Sequence, residues 1–275
     1  MSDAFVASAV AAATEVGRRA GLPHDDPQVL AARANVLVRI GPVVARVPAT
    51  TRIARADTAE RLACDLALSA FLAERNAPVI PPWGEPEPHF ARGLPVTLWP
   101  FTRHDPKTVF GHAEIARLLA RLHEALRDYP GELPAGPVAE LNSWLDLLAD
   151  ELPADRLRAM AAEIVLTGPV QPLHGDAHAG NVLATPDGPR WLDFEDTWRG
   201  PVGWDLACLT HGRGLDGSAA AETLAAYPGA KPDLAPFLAL RNLYAVCWRF
   251  VIARRFPDRR DEARAALAKI VGGAA

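Results

Sequence analysis

Lysine is nearly missing from this chain of 275 residues: Lys107, Lys231 and Lys269 are the only three, and the remaining basic residues are arginines. None lies in the first hundred residues, so chemistry there that needs a side-chain cation must use arginine. Cysteine is scarce as well. Cys64, Cys208 and Cys247 are widely spaced, odd in number and outside any C-x-x-C pattern. That argues against a disulfide framework and reads as reduced core thiols in a cytoplasmic protein. No basic run occurs and the formal net charge is −4, which disfavours nucleic acid as a partner. The apolar N-terminal segment has no positive leader and is interrupted by Glu15, Arg18 and Arg19, too early for a membrane span. What remains is an alanine-rich globular chain, 49% hydrophobic, long enough for one large domain or two lobes.

Periodicity assigns the elements. Residues 3–20 read as an amphipathic helix. Asn35–Ile40 and Val43–Val47 alternate around Gly41-Pro42 as a hairpin. Asp57-Thr58-Ala59-Glu60 resembles a capping box opening a helix that ends near Asn76-Ala77-Pro78. Six prolines make 78–96 mostly connection, before a last short strand at Val96–Trp99. Ile115, Leu118, Leu119, Leu122 and Leu126 fall at helical spacing, and helical patterns recur at 138–150, 153–165, 204–211, 233–254 and 258–271. The expected architecture is α+β: a small lobe of antiparallel strands over residues 1–99 and a large helical lobe over 100–275.

One stretch carries the chemistry. Leu173-His174-Gly175-Asp176-Ala177-His178-Ala179-Gly180-Asn181-Val182-Leu183 is followed by Trp191-Leu192-Asp193-Phe194-Glu195. It offers an acid, an amide five residues later and a second acid beyond the turn Thr185-Pro186-Asp187-Gly188. A hairpin there brings the second acid back toward the amide. Kinase catalytic loops use this pattern, with one aspartate meeting the substrate hydroxyl while the asparagine and the next aspartate hold Mg²⁺. Asp176 is then the general base or hydroxyl-orienting group, and Asn181 and Asp193 are the Mg²⁺ ligands, oxygen donors as that ion prefers. Blander readings are a turn-capping Asp176 and a left-handed Asn181. A rival chemistry places His174, Asp176 and His178 on one strand face around a transition metal, as in a metallohydrolase. Gly175 and Gly180 favour a loop instead, and no further His pair at ligand spacing exists. His123 reads as a core histidine.

These residues resemble the aminoglycoside phosphotransferase and choline kinase superfamily, whose loop reads His-Gly-Asp. Gly200-Pro201-Val202-Gly203-Trp204-Asp205-Leu206-Ala207 and Leu118-Leu119-Ala120-Arg121-Leu122-His123 are similar to two further elements of that family. The resemblance is strong over about 110–210, fainter before and absent after about 212. It implies a bilobal protein-kinase-like fold, ATP or GTP and Mg²⁺ as cofactors, and a small-molecule hydroxyl as acceptor. It also implies that His174 braces the loop, that Asp205 holds the loop backbone, and that Trp99-Pro100-Phe101 stands at the nucleotide-binding hinge. Glu195 would assist the metal, reach the substrate or stay solvated, and Asp196 would contact the substrate.

The first lobe departs from the pattern. Kinases pair a lysine on the third strand with a glutamate on the next helix. Here Arg46 occupies the strand position, with Asp65 (or Glu60) as the acid, and Arg46 would grip phosphate as a planar fork. The alternative is a surface strand arginine. Ala31-Ala32-Arg33-Ala34 lies where a Gly-rich phosphate loop is expected. These departures keep a second class open, a catalytically weak nucleotide-binding or regulatory protein. Glu195, Asp196 and Asp216 would suit a polycationic aminoglycoside acceptor. Trp198, Trp204, Tyr244 and Trp248 would line a pocket for a less charged one, or be core.

Overall fold

The structure is a computed structural model and describes residues 3–211, 217–229 and 231–272. In chain order the elements are α1 (Asp3–Arg19), β1 (Gln28–Ala32), β2 (Asn35–Ile40), β3 (Val43–Pro48), α2 (Thr51–Ala54), α3 (Thr58–Glu74), β4 (His89–Ala91) and β5 (Leu94–Pro100). There follow α4 (His112–Leu126), α5 (Pro137–Leu147), α6 (Ala154–Ala162), β6 (Val170–Leu173), β7 (Val182–Thr185), β8 (Gly188–Trp191) and β9 (Trp198–Pro201). The chain ends in α7 (Gly203–Thr210), α8 (Gly217–Ala226), α9 (Ala235–Arg255) and α10 (Arg260–Gly272). It is a mixed α+β protein with an antiparallel sheet early and helices late.

Two compact units divide it. One holds the residues up to Pro106 together with Leu183–Glu195, and the other holds Lys107–Val182 together with the residues from Asp196 onward. The β7–β8 hairpin therefore groups with the early sheet, where the sequence had suggested a plain break after residue 99.

In the first unit the strands run in the order β1-β2-β3-β5-β4, all antiparallel. Strand alternation puts Val36, Val38 and Ile40 of β2 with Val43, Ala45 and Val47 of β3 in one core, closed by Ala9, Ala12, Ala13 and Val16 of α1. Small alanines let the helix approach the sheet closely, which accounts for part of the alanine richness. The same alternation sends Arg46 to the opposite face. There it meets Asp65 of α3.

Three local expectations change. Asp57 flanks α3 without capping it through its side chain; its carboxylate instead takes the Nε of Arg61 at 3.0 Å. The proline-rich stretch is not all connection. It contains β4, and β5 starts at Leu94, two residues early. Pro95 stands opposite Phe90 of β4, and β3 pairs with β5 only from Thr97 on, so the strand bears a proline at the end where its second neighbour has stopped. The Arg92-Gly93 turn that joins them has φ of 53° and 72°, the left-handed pair that tight hairpins need. Finally, the helical unit contains a two-stranded pairing of β6 with β9.

Ile80 N–H donates to Trp191 O at 2.9 Å and Trp191 N–H to Pro78 O at 2.7 Å. These bonds tie the end of β8 to the segment after α3. Leu66, Ile80 and Trp99 form a small core there, with Leu183 and Leu192 packed against it. Among the described residues no helix is long and apolar enough to cross a membrane.

Candidate active site

In the second unit, Asp176 sits on a loop that the chain braces from several directions. Asp205, in the first turn of α7 and fully buried, accepts the backbone N–H of His174 at 2.8 Å on Oδ2. Its Oδ1 accepts the N–H of Gly175 at 2.9 Å. His123 of α4 lies 2.9 Å from the same Oδ2 through Nε2, and its Nδ1 lies 2.7 Å from the Tyr227 hydroxyl. A carboxylate can only accept, so the ring donates from Nε2 and takes the Tyr227 proton at Nδ1. His123 is a core residue, as expected, but with a job: it orients the aspartate that holds the loop. Trp204 Nε1 donates to Gly175 O at 2.6 Å, and Thr197 Oγ1 to Leu173 O at 2.7 Å. Gly175 has φ of +88°, and a Cβ there would run into the Asp196 carbonyl. Only glycine fits between His174 and Asp176.

His174 is fully buried, and its Nδ1 accepts the Asp176 N–H at 3.3 Å. His178 caps the short 3₁₀ turn Ala179–Asn181, its Nδ1 accepting the Gly180 N–H at 3.0 Å. Its Nε2 then carries the proton and faces Asp176 Oδ2 at 3.2 Å. Both rings serve the loop, which speaks against the rival transition-metal reading. The Asn181 amide nitrogen donates to Asp176 O at 3.0 Å, leaving the amide oxygen as the atom with chemistry to offer.

The Asp176 carboxylate has a partner that sequence reasoning missed. Arg241, from the middle of α9, pairs with its Oδ1. Burial alone would raise the Asp176 carboxyl. Arg241 and the His178 contact more than offset it and hold the group well below the usual carboxylate range. The only sequence signal was an arginine inside an apolar helical stretch.

The first unit carries a second cluster. Arg46, only 5% exposed, donates from Nη1 to Asp193 Oδ1 at 2.9 Å and from Nη2 to Glu195 Oε2 at 2.7 Å. Its Nη1 also lies 3.2 Å from Asp65 Oδ2. The surface-strand alternative is thereby overturned, and Asp65 rather than Glu60 is the partner. Glu195 is neither solvated nor free: it is 7% exposed, Arg55 stands 3.6 Å from its Oε1, and Arg61 donates to its backbone oxygen at 3.4 Å. Arg55 and Arg61 were not foreseen. Asp65, fully buried, accepts the Phe194 N–H at 3.0 Å. Burial raises its carboxyl to about 6 even though Arg46 opposes that, and the charge of Asp193 adds to the rise. Arg46 itself shifts upward, because three carboxylates outweigh its burial. The two directions are consistent: Arg46 spends its hydrogen bonds on Asp193 and Glu195, and Asp65 receives the weakest share.

Asp193 has φ of +71°, an uncommon conformation outside glycine that marks functional sites more often than chance. Its side chain keeps 28% of its surface exposed. Among the described residues no group of three or more His, Cys, Asp or Glu is arranged to hold a metal ion. Magnesium needs no such group, since it takes one or two protein oxygens and fills its shell with water and phosphate. The half-open Asp193 carboxylate and the Asn181 amide oxygen are hard donors of the right kind.

The remaining candidates are placed as follows. Trp99 is buried, with Nε1 donating to Thr97 Oγ1 at 2.8 Å. Phe101 donates its N–H to Pro42 O at 2.7 Å and lies 3.8 Å beneath the Arg39 guanidinium. Asp196 is half-buried. Trp204 and Tyr244 are core residues, and Trp198 and Trp248 are half-buried. Asp216 lies outside the described residues.

A five-stranded antiparallel sheet, a helical unit and a braced His-Gly-Asp loop define a kinase-like fold. The chain belongs to the phosphotransferase enzyme family: the family model matches residues 31–240. Stress response kinase A of Escherichia coli (strain K12) is 34% identical over 94 residues. That stretch is 31% of this chain and only 27% of the curated protein, so about a quarter of the relative's length is matched. Amicoumacin kinase hAmiN, solved with AMP-PNP, Ca²⁺ and Ami, superposes with a TM-score of 0.71 at 14% identity, covering 94% of this chain and 93% of that one. Aminoglycoside phosphotransferase APH(3'')-Id from Streptomyces rimosus ATCC10970, solved with ADP and streptomycin, gives 0.63 at 17% identity, covering 90% and 99%. At these identities the two structures establish the fold.

Proposed function

We propose that this chain is a Mg²⁺-dependent small-molecule kinase that moves the γ-phosphoryl group of ATP or GTP to an alcohol. The observation that supports it best is the Asp176 loop: a carboxylate held ionised and aimed by neighbours, on a backbone that Asp205 fixes. Phosphoryl transfer asks the protein for positioning and charge neutralisation more than for covalent chemistry. Asp176 accepts a hydrogen bond from the acceptor hydroxyl and orients its oxygen toward the γ-phosphorus. As the new P–O bond forms and the bond to the bridging oxygen breaks, the hydroxyl proton passes to the carboxylate or the transferred group, and the nucleoside diphosphate leaves. Asn181 and Asp193 would supply oxygens to magnesium, whose chemistry there would be to neutralise phosphate charge. Arg46 keeps Asp193 in place and Asp65 supports Arg46. Trp99 and Phe101 are assigned to the nucleotide-binding hinge. A nucleotide complex of hAmiN and one of APH(3'')-Id support the nucleotide part of this reading.

The acceptor is a small metabolite or antibiotic bearing a hydroxyl. Two of the acidic residues near the loop are already committed, Asp176 to Arg241 and Glu195 to Arg46 and Arg55. That weighs toward a less charged acceptor, with Asp196 a candidate contact for it. Three cysteines outside any disulfide suit a cytoplasmic location.

A second reading, a weak nucleotide-binding protein, has one observation in its favour. Both terminal nitrogens of Arg46 rest on carboxylates, so phosphates must compete for them. Calorimetry with ATP and GTP, with and without Mg²⁺, separates the readings. Wild type should bind the Mg²⁺ complex, Asp193→Ala should lose the Mg²⁺ dependence, and Asn181→Ala should weaken it. Wild-type binding in both variants would show that magnesium is held elsewhere.

A further inference from the structure

We infer that Arg241 is a positioning residue for Asp176, fixing one carboxylate oxygen so that the other is presented to the acceptor hydroxyl. This rests on the kinase reading above and extends it to a residue outside the motif. Arg241 comes from α9, beyond the stretch where the sequence resembles its family. Its side chain is 16% exposed, and it pairs with Asp176 Oδ1. The guanidinium lies 5.9 Å from the ring centre of Trp204 and 5.6 Å from that of Tyr244, within reach of cation–π attraction. Neither ring is loose. Trp204 is bonded to the Gly175 carbonyl, and the Tyr244 hydroxyl to Glu140 of α5. The residue that places Arg241 therefore also pins the loop that places Asp176.

Geometry divides the carboxylate in two. Oδ1 is held by the enclosed Arg241. Among the described residues, Oδ2 faces the Nε2–H of His178, whose side chain is 37% exposed, at 3.2 Å. A hydroxyl can take the place of the more exposed His178 contact without disturbing the enclosed one. Arg241 also carries a cost: its Nε is buried and finds no acceptor among the described residues. An unsatisfied buried donor is unfavourable, and a pair kept only for stability would gain by losing it. A site that must hold one carboxylate rotamer has reason to keep it.

The test uses Mg²⁺-ATP turnover, with water and a panel of small alcohols as acceptors, on wild type, Arg241→Met, Arg241→Lys and Arg241→Ala. Arg241→Met should lower kcat about a hundredfold, the scale of a misplaced reacting group, with the nucleotide KM unchanged. Arg241→Lys should recover part of the loss. Guanidinium ion at sub-denaturing concentration should restore turnover to Arg241→Ala, which a purely structural loss would not allow. Folded Arg241→Met turning over at the wild-type rate would overturn the positioning role and leave the kinase reading standing. So would a loss in Arg241→Ala that guanidinium cannot repair in the folded protein. A wild type that turns over nucleotide with none of these acceptors would overturn the kinase reading, and this role with it.

Discussion

Arg46 illustrates how one side chain can set the character of a site. An arginine on this strand reaches two partners at once, and it does so with Asp193 and Glu195 while standing over Asp65. A lysine offers a point charge that cannot fork. Arg46→Ala should therefore raise the nucleotide KM and lower turnover together, and Arg46→Lys should restore little of either. Combining Arg46→Lys with Asp65→Glu should recover more than the single changes allow, because groups in contact are non-additive; strictly additive kinetics would contradict the pairing. Asp65 adds a pH signature. Its carboxyl is raised to about 6 by burial, against the pull of Arg46. The stability it contributes is present below its unfolded value of about 4 and lost as pH rises through about 6. Denaturant titrations near pH 4 and near pH 8 should show a smaller penalty for Asp65→Asn at the higher pH. Arg46 and Asp65 were legible in the sequence because the kinase pattern pairs a cation on the third strand with an acid on the next helix. Arg241 was not, since nothing local to Asp176 points to a residue 65 positions away.

Among the elements, the catalytic loop is the one whose fold and chemistry cannot be separated. Apart from the short 3₁₀ turn Ala179–Asn181 it has no regular structure of its own, and Asp205 satisfies two of its backbone N–H groups. Asp205→Ala leaves both without a partner in a buried place, at roughly 1–3 kcal/mol each. Chemical denaturation should register that loss, and hydrogen exchange should show the His174 and Gly175 amides losing protection. Unchanged protection would mean that the loop is held by other bonds. The loop, its hairpin and the larger helices were readable because their signals are local. Other elements were hidden for stated physical reasons. β6 and β9 are four residues each and pair over a long sequence distance. α8 is largely alanine and carries little pattern. β5 bears Pro95 at the end where its pairing with β3 has stopped. The capping box failed because Asp57 found Arg61 first.

Over the whole chain, the proposed chemistry names residues as far apart in sequence as Arg46 and Arg241. The acids and amide of 176–195 sit in one short stretch, which is why the reaction class was readable while the supporting arginines were not. The central claim is that Asp176 serves phosphoryl transfer to a hydroxyl, and one measurement meets it directly. Purified wild type and Asp176→Asn are each incubated with Mg²⁺ and ATP or GTP over a panel of hydroxyl-bearing metabolites and antibiotics, and phosphorylated product is followed by mass. Wild type should phosphorylate at least one acceptor, and Asp176→Asn should fall by about 10²–10⁴-fold while nucleotide binding is retained. Product formed by Asp176→Asn at the wild-type rate would contradict the account.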